Sequence, residues 1–282
     1  MMSVRIEELD KRKGRGVIAT KATAKDEALL AVAPSIVVLY SQFVRQYCAA
    51  CYSLISTNGE HHLCKDCFSF VLCHGCSTDE KWTNHQVACQ WLCSLPMETQ
   101  QGDTDYLRFC LELAARIQRG DVALLLSMDA LASNEATQSD EVVNFCTRYS
   151  KLIYSTFSPR GMLVQQHSIY QALLKTKSNS LGFPFTPFDT LGWALHDVVC
   201  MLNHSCCPNA AIRNGKAPGS LELAALRGIR EGEEVTISYL NLEKFSDVEA
   251  RTRHLLEMYR FVCSCERCKT DRVASKRKKN IC

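Results

Sequence analysis

The feature that most constrains this chain is its cysteines, which fall in clusters at metal-ligand spacing. Seventeen cysteines occur in 282 residues, eight of them between Cys48 and Cys93 and five between Cys206 and Cys268. Cys48-x2-Cys51, Cys64-x2-Cys67, Cys73-x2-Cys76 and His85-x3-Cys89 place four ligand pairs within 42 residues. Each pair can present two donors on one side of a tight turn. Two pairs then complete a tetrahedral Zn²⁺ site with sulfur at about 2.3 Å. So short a segment has little apolar core, so metal binding supplies much of its folding energy. Spacing alone leaves the pairing open, since adjacent pairs can share a metal or alternate. Cys93, one turn after Cys89 on a predicted helix, and His74 are spare donors.

The compartment decides between disulfides and metal. The first residues, Met1-Met2-Ser3-Val4-Arg5-Ile6-Glu7-Glu8, carry charges where a signal peptide needs an apolar core. No apolar stretch approaches the roughly 18 residues that span a bilayer. An intracellular protein with no membrane partner is expected, nuclear and/or cytoplasmic, where thiolate–metal bonding is favoured over disulfides. The net charge of +3 argues against strong nonspecific nucleic-acid binding, and direct nucleic-acid binding is not expected. The run Ser275-Lys276-Arg277-Lys278-Lys279 reads as a disordered, solvated end or a localisation signal.

Along the chain, the pattern alternates between β and α. Residues 1–47 read as short strands around a Lys13-Gly14-Arg15-Gly16 turn, continuing through Val17-Ile18-Ala19 and the Leu29–Tyr40 stretch. From Thr104 to about Lys177 the pattern is helical, with Leu107, Leu111, Ala114 and Ile117 on one face. Pro184 and Pro187 mark a loop. Strands return in Ala210-Ala211-Ile212, Leu221-Glu222-Leu223 and Val235-Thr236-Ile237, followed by a helix over Ser246–Tyr259. Its expected start is a capping box of Ser246 and Glu249. There are no internal repeats.

Three motifs carry chemistry: Asn203-His204-Ser205-Cys206-Cys207-Pro208-Asn209, Gly232-Glu-Glu-Val-Thr-Ile-Ser-Tyr239, and Cys263-x-Cys265-x2-Cys268. In this order, over about 65 residues, they resemble the cofactor-binding heart, the catalytic-tyrosine segment and the post-SET zinc closure of the SET-domain lysine methyltransferases. The cysteine-rich insert resembles the MYND zinc finger, down to Trp82-x2-His85-x3-Cys89; a RING-like spacing fits less well. One departure is the third pair, which holds two intervening residues where MYND fingers usually hold three. A MYND finger inside a SET domain resembles the SMYD family, over the chain up to about residue 270. The resemblance implies an α+β fold: a SET-domain β-core with a pseudoknot, a helical insert, an inserted MYND zinc finger and a cysteine-rich post-SET closure. The expected divisions are 1–47 (N-terminal SET), 48–93 (MYND), 94–192 (helical insert and linker), 193–240 (C-terminal SET core), 241–270 (post-SET closure) and 271–282 (basic tail).

The same resemblance assigns roles. Interleaved pairing puts Cys48, Cys51, Cys73 and Cys76 on one zinc and Cys64, Cys67, His85 and Cys89 on a second. Cys206 joins Cys263, Cys265 and Cys268 on a third. S-adenosylmethionine is the implied cofactor, held by Lys13, Gly14, Arg15, Asn134, Asn179, Asn203, His204, Tyr239 and Phe261. Tyr239 and Tyr259 are the implied catalytic residues, Tyr239 near the transferring methyl and Tyr259 lining a lysine channel, with Phe261 stacked on adenine. The elements Leu131-Ala132-Ser133-Asn134 and Asn179-Ser180-Leu181 depart from the family. Ala132 stands where a glutamate can hold ribose, and Leu181 where a phenylalanine lines the channel.

The implied activity is methylation of lysines in histone or non-histone proteins. The alternative is a MYND-led interaction module with a weak or inactive SET domain, binding proline-containing peptides. The long helical C-terminal domain of many SMYD proteins has no counterpart in these residues. The expectation is an acceptor groove open on one side or covered by a partner, or else a truncated form.

Overall fold

The computed structural model describes residues 3–10, 13–56, 59–184, 190–217 and 219–279, with side chains described as far as Ser275. Pro187, one of the two expected loop markers, lies outside the described residues. The strands are β1 (Val4–Asp10), β2 (Gly14–Ala19), β3 (Ala28–Val32), β4 (Ile36–Leu39), β5 (His61–Leu63), β6 (Val71–Cys73), β7 (Leu181–Phe183), β8 (Gly192–Leu195), β9 (Asn203–His204), β10 (Ala210–Asn214), β11 (Leu221–Ala225) and β12 (Glu234–Ile237). The helices are α1 (Glu80–Cys93), α2 (Met97–Gln101), α3 (Asp105–Gln118), α4 (Val122–Ala130), α5 (Asp140–Phe157), α6 (Gln166–Asn179), α7 (Val248–Tyr259) and α8 (Glu266–Lys279).

Two compact units form. The first draws on three separated stretches, Met1–Val32, Met201–Arg213 and Leu221–Cys282. Its main sheet runs β1-β2-β12-β9, with β9 parallel to β12. The β1–β2 hairpin turns at Gly14, whose φ of +64° favours a residue without Cβ. β1 pairs with one edge of β2 and β12 with the other, and Val17, Ile18 and Ala19 are all buried, so both faces of this strand are covered. Burial on both faces explains why the segment reads as a continuous apolar run rather than an alternating one. A second sheet runs β10-β11-β3.

The second unit comprises Ala33–Cys200 and Asn214–Ser220. It holds the sheet β4-β8-β7, the β5–β6 hairpin of the cysteine-rich segment, and helices α1–α6. Helix α5 buries Cys146, Ser150, Ile153 and Phe157, a spacing of one or two turns that draws a single stripe against its neighbours. It starts where the Ser139 hydroxyl accepts from the Val142 N–H.

Three local expectations change. Strand β4 ends at Leu39, and residues 41–46 form turns in which the Phe43 N–H donates to the Tyr40 carbonyl, before an isolated bridge from Tyr47 to Leu54. Helix α7 begins at Val248, capped by Asp247 rather than by Ser246: the Asp247 carboxylate accepts from the Ala250 N–H, while the Ser246 carbonyl receives the Arg251 guanidinium. The backbone of the basic stretch is helical as far as Lys279. It continues α8 from Glu266, in a segment that contains neither glycine nor proline and is rich in the helix formers Lys and Arg.

Candidate active site and metal centres

Backbone pairing builds the site in the first unit. β9 carries Asn203 and His204 beside Thr236 and Ile237 of β12, so the segment ending at Tyr239 runs alongside the Asn-His pair. Asn209, buried, ties the motif's far end to β12: its Oδ1 accepts from the Thr236 N–H at 2.8 Å, and its Nδ2 donates to the Glu234 carbonyl at 2.8 Å. That role went unread in the sequence, where Asn209 is only the last letter of the motif.

Asn203 Nδ2 donates to the Arg15 carbonyl at 2.9 Å and to Glu234 Oε1 at 3.1 Å. Both amide hydrogens are thereby used inside the protein, which leaves the oxygen to receive a donor such as an amine. A Cβ at Gly16 would come within 2.4 Å of Leu9 and 3.0 Å of Asn203 Nδ2, so any larger residue would displace these two side chains. Lys13 forms an ion pair with Glu234. Glu234 is a residue that sequence reasoning missed, although it lies inside the Gly232–Tyr239 motif. It holds Asn203 and Lys13 together.

His204 accepts the Tyr239 N–H on Nδ1 at 3.0 Å, and its Nε2 lies 3.2 Å from Cys206 Sγ. Both ring nitrogens therefore face protein partners, and its backbone and ring face are what remain for a ligand. The Tyr239 hydroxyl donates to the Leu202 carbonyl. Around it, ring centroids lie 5.3 Å away for His204, 4.9 Å for Tyr259 and 6.3 Å for Phe261. Burial of its hydroxyl end pushes the Tyr259 pKa up, although the residue as a whole is 44% exposed. It stays a neutral phenol at physiological pH. An amide oxygen and an aromatic cluster, with Lys13 held beside Asn203 by Glu234, fit a ligand combining an amino-acid end with a nucleoside. Asn134 and Asn179 lie in the second unit. Asn134 takes left-handed backbone angles (φ 51°). Asn179 Nδ2 donates to the Ala132 carbonyl at 2.8 Å, which joins the two weaker sequence elements to each other.

The metal donors converge in the three groups expected. The ligand atoms of Cys48, Cys51, Cys73 and Cys76, of Cys64, Cys67, His85 and Cys89, and of Cys206, Cys263, Cys265 and Cys268 each lie within 4.8 Å of one another. The interleaving follows from the β5–β6 hairpin, which carries the third pair back to the first. The Cys73 N–H donates to Cys48 Sγ at 3.3 Å, and the Cys265 N–H to Cys263 Sγ at 3.4 Å. Such donors stabilise thiolates. Four thiolates, or three with one imidazole, fit Zn²⁺. His74 is turned outward to Glu60 at 3.1 Å and belongs to no group. Cys93 Sγ lies 3.6 Å from Cys89, adjacent to the second group. Trp82 is explained by packing: it lies edge-on to Phe70 (5.9 Å), whose ring stacks on His85 at 4.1 Å.

The sequence profile of the SET domain matches residues 14–240. The chain belongs to the SET-domain family. This SET protein is similar over most of its length to SMYD proteins. It is 24% identical over 261 residues to N-lysine methyltransferase SMYD2-A of Xenopus laevis, covering 92% of this chain and 59% of that protein. It is 26% identical over 280 residues to histone-lysine N-methyltransferase SMYD1 of Homo sapiens, covering 91% and 54%. It is 24% identical over 261 residues to SET domain and MYND-type zinc finger protein 6 of Schizosaccharomyces pombe, covering 92% and 50%. The SET chain thus spans a little over half the length of the curated relatives it matches. Among solved structures, Rubisco LSMT bound to AdoMet aligns at a TM-score of 0.47 and 13% identity, covering 93% of this chain and 52% of that one. No helix among the described residues is long and apolar enough to cross a membrane.

Proposed function

We propose that this chain is an S-adenosylmethionine-dependent protein-lysine N-methyltransferase. The observation that carries the reading is the convergence of Asn203, His204, Tyr239, Tyr259 and Phe261 next to the Cys206–Cys268 thiolate group. When bound, the cofactor supplies a methyl group on a sulfonium.

This chain's residues do the rest by position and desolvation. A free lysine has a pKa near 10.4, so only about one molecule in a thousand is a neutral nucleophile at pH 7. Enclosure beside Tyr239 and Tyr259 takes the amine out of water, which disfavours the ammonium, and a nearby positive charge does so further. Depressing the lysine by about 3 units corresponds to roughly 4 kcal/mol. The Asn203 oxygen binds the cofactor amine. Lys13 and Arg15 face its carboxylate, and Phe261 packs on the adenine. With its proton held by the Leu202 carbonyl, the Tyr239 oxygen keeps lone pairs for orienting the incoming amine. The Cys206 group anchors the segment bearing Tyr259 and Phe261, because Cys263 follows Phe261 by two residues.

Residues 48–93 are, in this reading, a MYND-type finger holding two zincs. An open groove of about 950 Å³ beside its second metal group, bordered by His61, His62, Trp82, Gln86 and Gln90, supports docking of a proline-containing peptide there. The acceptors are histone or non-histone proteins, and residence is nuclear and/or cytoplasmic.

The test is calorimetry of S-adenosylmethionine on zinc-loaded protein and on Asn203→Ala. Micromolar binding that the substitution abolishes is expected. A folded, three-zinc protein that binds none would sink the enzyme reading and leave the interaction module.

A further inference from the structure

The pairing that carries the Asn-His motif stops short of Tyr239. β12 ends at Ile237, whose carbonyl accepts the Ser205 N–H at 2.8 Å. Two residues on, the Tyr239 N–H meets a side chain instead of a strand, donating to His204 Nδ1 at 3.0 Å. A backbone N–H can only donate, so Nδ1 offers its lone pair and, in a neutral ring, the hydrogen sits on Nε2. That Nε2 lies 3.2 Å from Cys206 Sγ. The Cys206 sulfur is in turn 3.4 Å from that of Cys268 and 3.9 Å from that of Cys263, within the third metal group. The ring also packs against Tyr239 at 5.3 Å and Phe261 at 5.9 Å, which restricts the rotation that would exchange its two edges. The Tyr239 hydroxyl is fastened to the same segment, at the Leu202 carbonyl.

We propose that His204 is a positioning residue that couples zinc occupancy of the Cys206–Cys263–Cys265–Cys268 group to the placement of Tyr239. A zinc-bound sulfur carries no hydrogen, so towards His204 it can only accept. It therefore fixes the ring hydrogen on Nε2, and the ring so fixed presents Nδ1 to the Tyr239 N–H. A cysteine without metal has an S–H of its own. When that S–H donates to Nε2, the ring hydrogen belongs on Nδ1, where it opposes the Tyr239 N–H instead of receiving it. Through one imidazole, the metal decides whether the Tyr239 backbone is held. A ring that only fills space needs neither nitrogen aligned, whereas here both lie within hydrogen-bond distance of partners at opposite edges. The consequence for turnover rests on the methyltransferase reading. The relay itself does not, since His204, Cys206 and Tyr239 form it among themselves in the first unit.

The experiment is NMR on the intact, zinc-loaded protein, repeated after exchange of zinc for cadmium. Its readouts are the long-range proton–nitrogen correlation of the His204 ring, the Tyr239 amide signal, and the cadmium signal of the third site. The ring is expected to carry its hydrogen on Nε2, and the Tyr239 amide to shift when the metal is exchanged. Two variants cut the relay at opposite ends. His204→Asn keeps an acceptor near the Nδ1 position and loses the bond to Cys206, so a chelator should strip the third site about tenfold faster. His204→Gln keeps a donor near the Nε2 position and loses the acceptor. Its metal release should match the parent, while the Tyr239 amide moves and turnover falls about tenfold. In both variants the Tyr239 amide should stop responding to the exchange of metals. The proposal is overturned if the parent ring carries its hydrogen on Nδ1, or if the parent Tyr239 amide ignores the exchange; neither measurement needs a variant to fold. It is equally overturned if both variants lose metal and displace Tyr239 alike, as loss of a merely space-filling ring would. A parent that shows the Nε2 hydrogen and the metal response but binds no S-adenosylmethionine supports the relay and refutes the enzyme reading alone.

Discussion

Replacing Arg251 with methionine tests what holds the closing segment of the first unit. Its side chain is fully buried (0% exposed), with Nη2 at 3.9 Å from Cys268 Sγ and paired with Asp271, while Nη1 donates to the Ser246 carbonyl. A zinc held by four thiolates carries two net negative charges, and in this interior Arg251 is the cation placed against them. Arg267 and Arg272 donate instead to the Cys206 and Cys263 carbonyls, at 3.3 and 2.9 Å. At an effective dielectric near 20, one guanidinium–thiolate pair at this distance is worth about 4 kcal/mol. Breaking a buried pair by removing one partner typically costs about 3–5 kcal/mol. At about 2–4 °C per kcal/mol for a chain of this size, Arg251→Met is expected to lower the melting temperature by about 10 °C. Because the lost charge faces the metal group, zinc should also leave the third site faster, followed with a chromophoric chelator. Arg251→Lys, which keeps charge but not the fork, should fall between. If Arg251→Met retains all three zincs with unchanged release and melts within about 2 °C of the parent, the charge-compensation argument is wrong.

Other perturbations give separate readouts. Cys89→Ser should keep a zinc at the second group with weakened affinity, because Cys93 Sγ is 3.6 Å away, whereas the Cys89→Ser/Cys93→Ser double variant should lose it; metal analysis separates the two. Burial holds His196 at a pKa of about 4, an effect that Asp197 only partly offsets. The unfolded chain therefore takes up a proton near pH 6.5 that the folded chain refuses, and stability falls as pH drops from about 6.5 towards 4. That amounts to about 2 kcal/mol between pH 7.5 and 5. Denaturant melts of His196→Leu should lack this part of the slope; identical slopes would count against it. Tyr239→Phe should bind S-adenosylmethionine about as well as the parent while turnover drops about 10²-fold; equal turnover would remove Tyr239 from the reaction.

Much of the site was legible because its chemistry is local. Paired cysteines two residues apart can face only a common centre, so the ligands of all three metal groups could be named from spacing and resemblance. The Asn203-His204 pair and Tyr239 were likewise visible as motifs. The pairing partners were not. That Asn209 and Glu234 act as staples follows from β9 lying parallel to β12, a register fixed by hydrogen bonds between segments some thirty residues apart. The cap of α7 lies at Asp247, as good an N-cap as serine, whose carboxylate accepts the Ala250 N–H. Helix α8 replaced the expected disordered tail because its lysines and arginines favour the helix and nothing in Glu266–Lys279 interrupts it. By itself, the sequence determined which side chains could bind metal or cofactor, since that depends on residue type and short spacing. Only the tertiary structure decided that Arg251 is buried against one thiolate group, and that Glu234 of β12 receives the Asn203 amide. Both depend on elements far apart in sequence meeting in space, where burial, not composition, sets what a charge is worth.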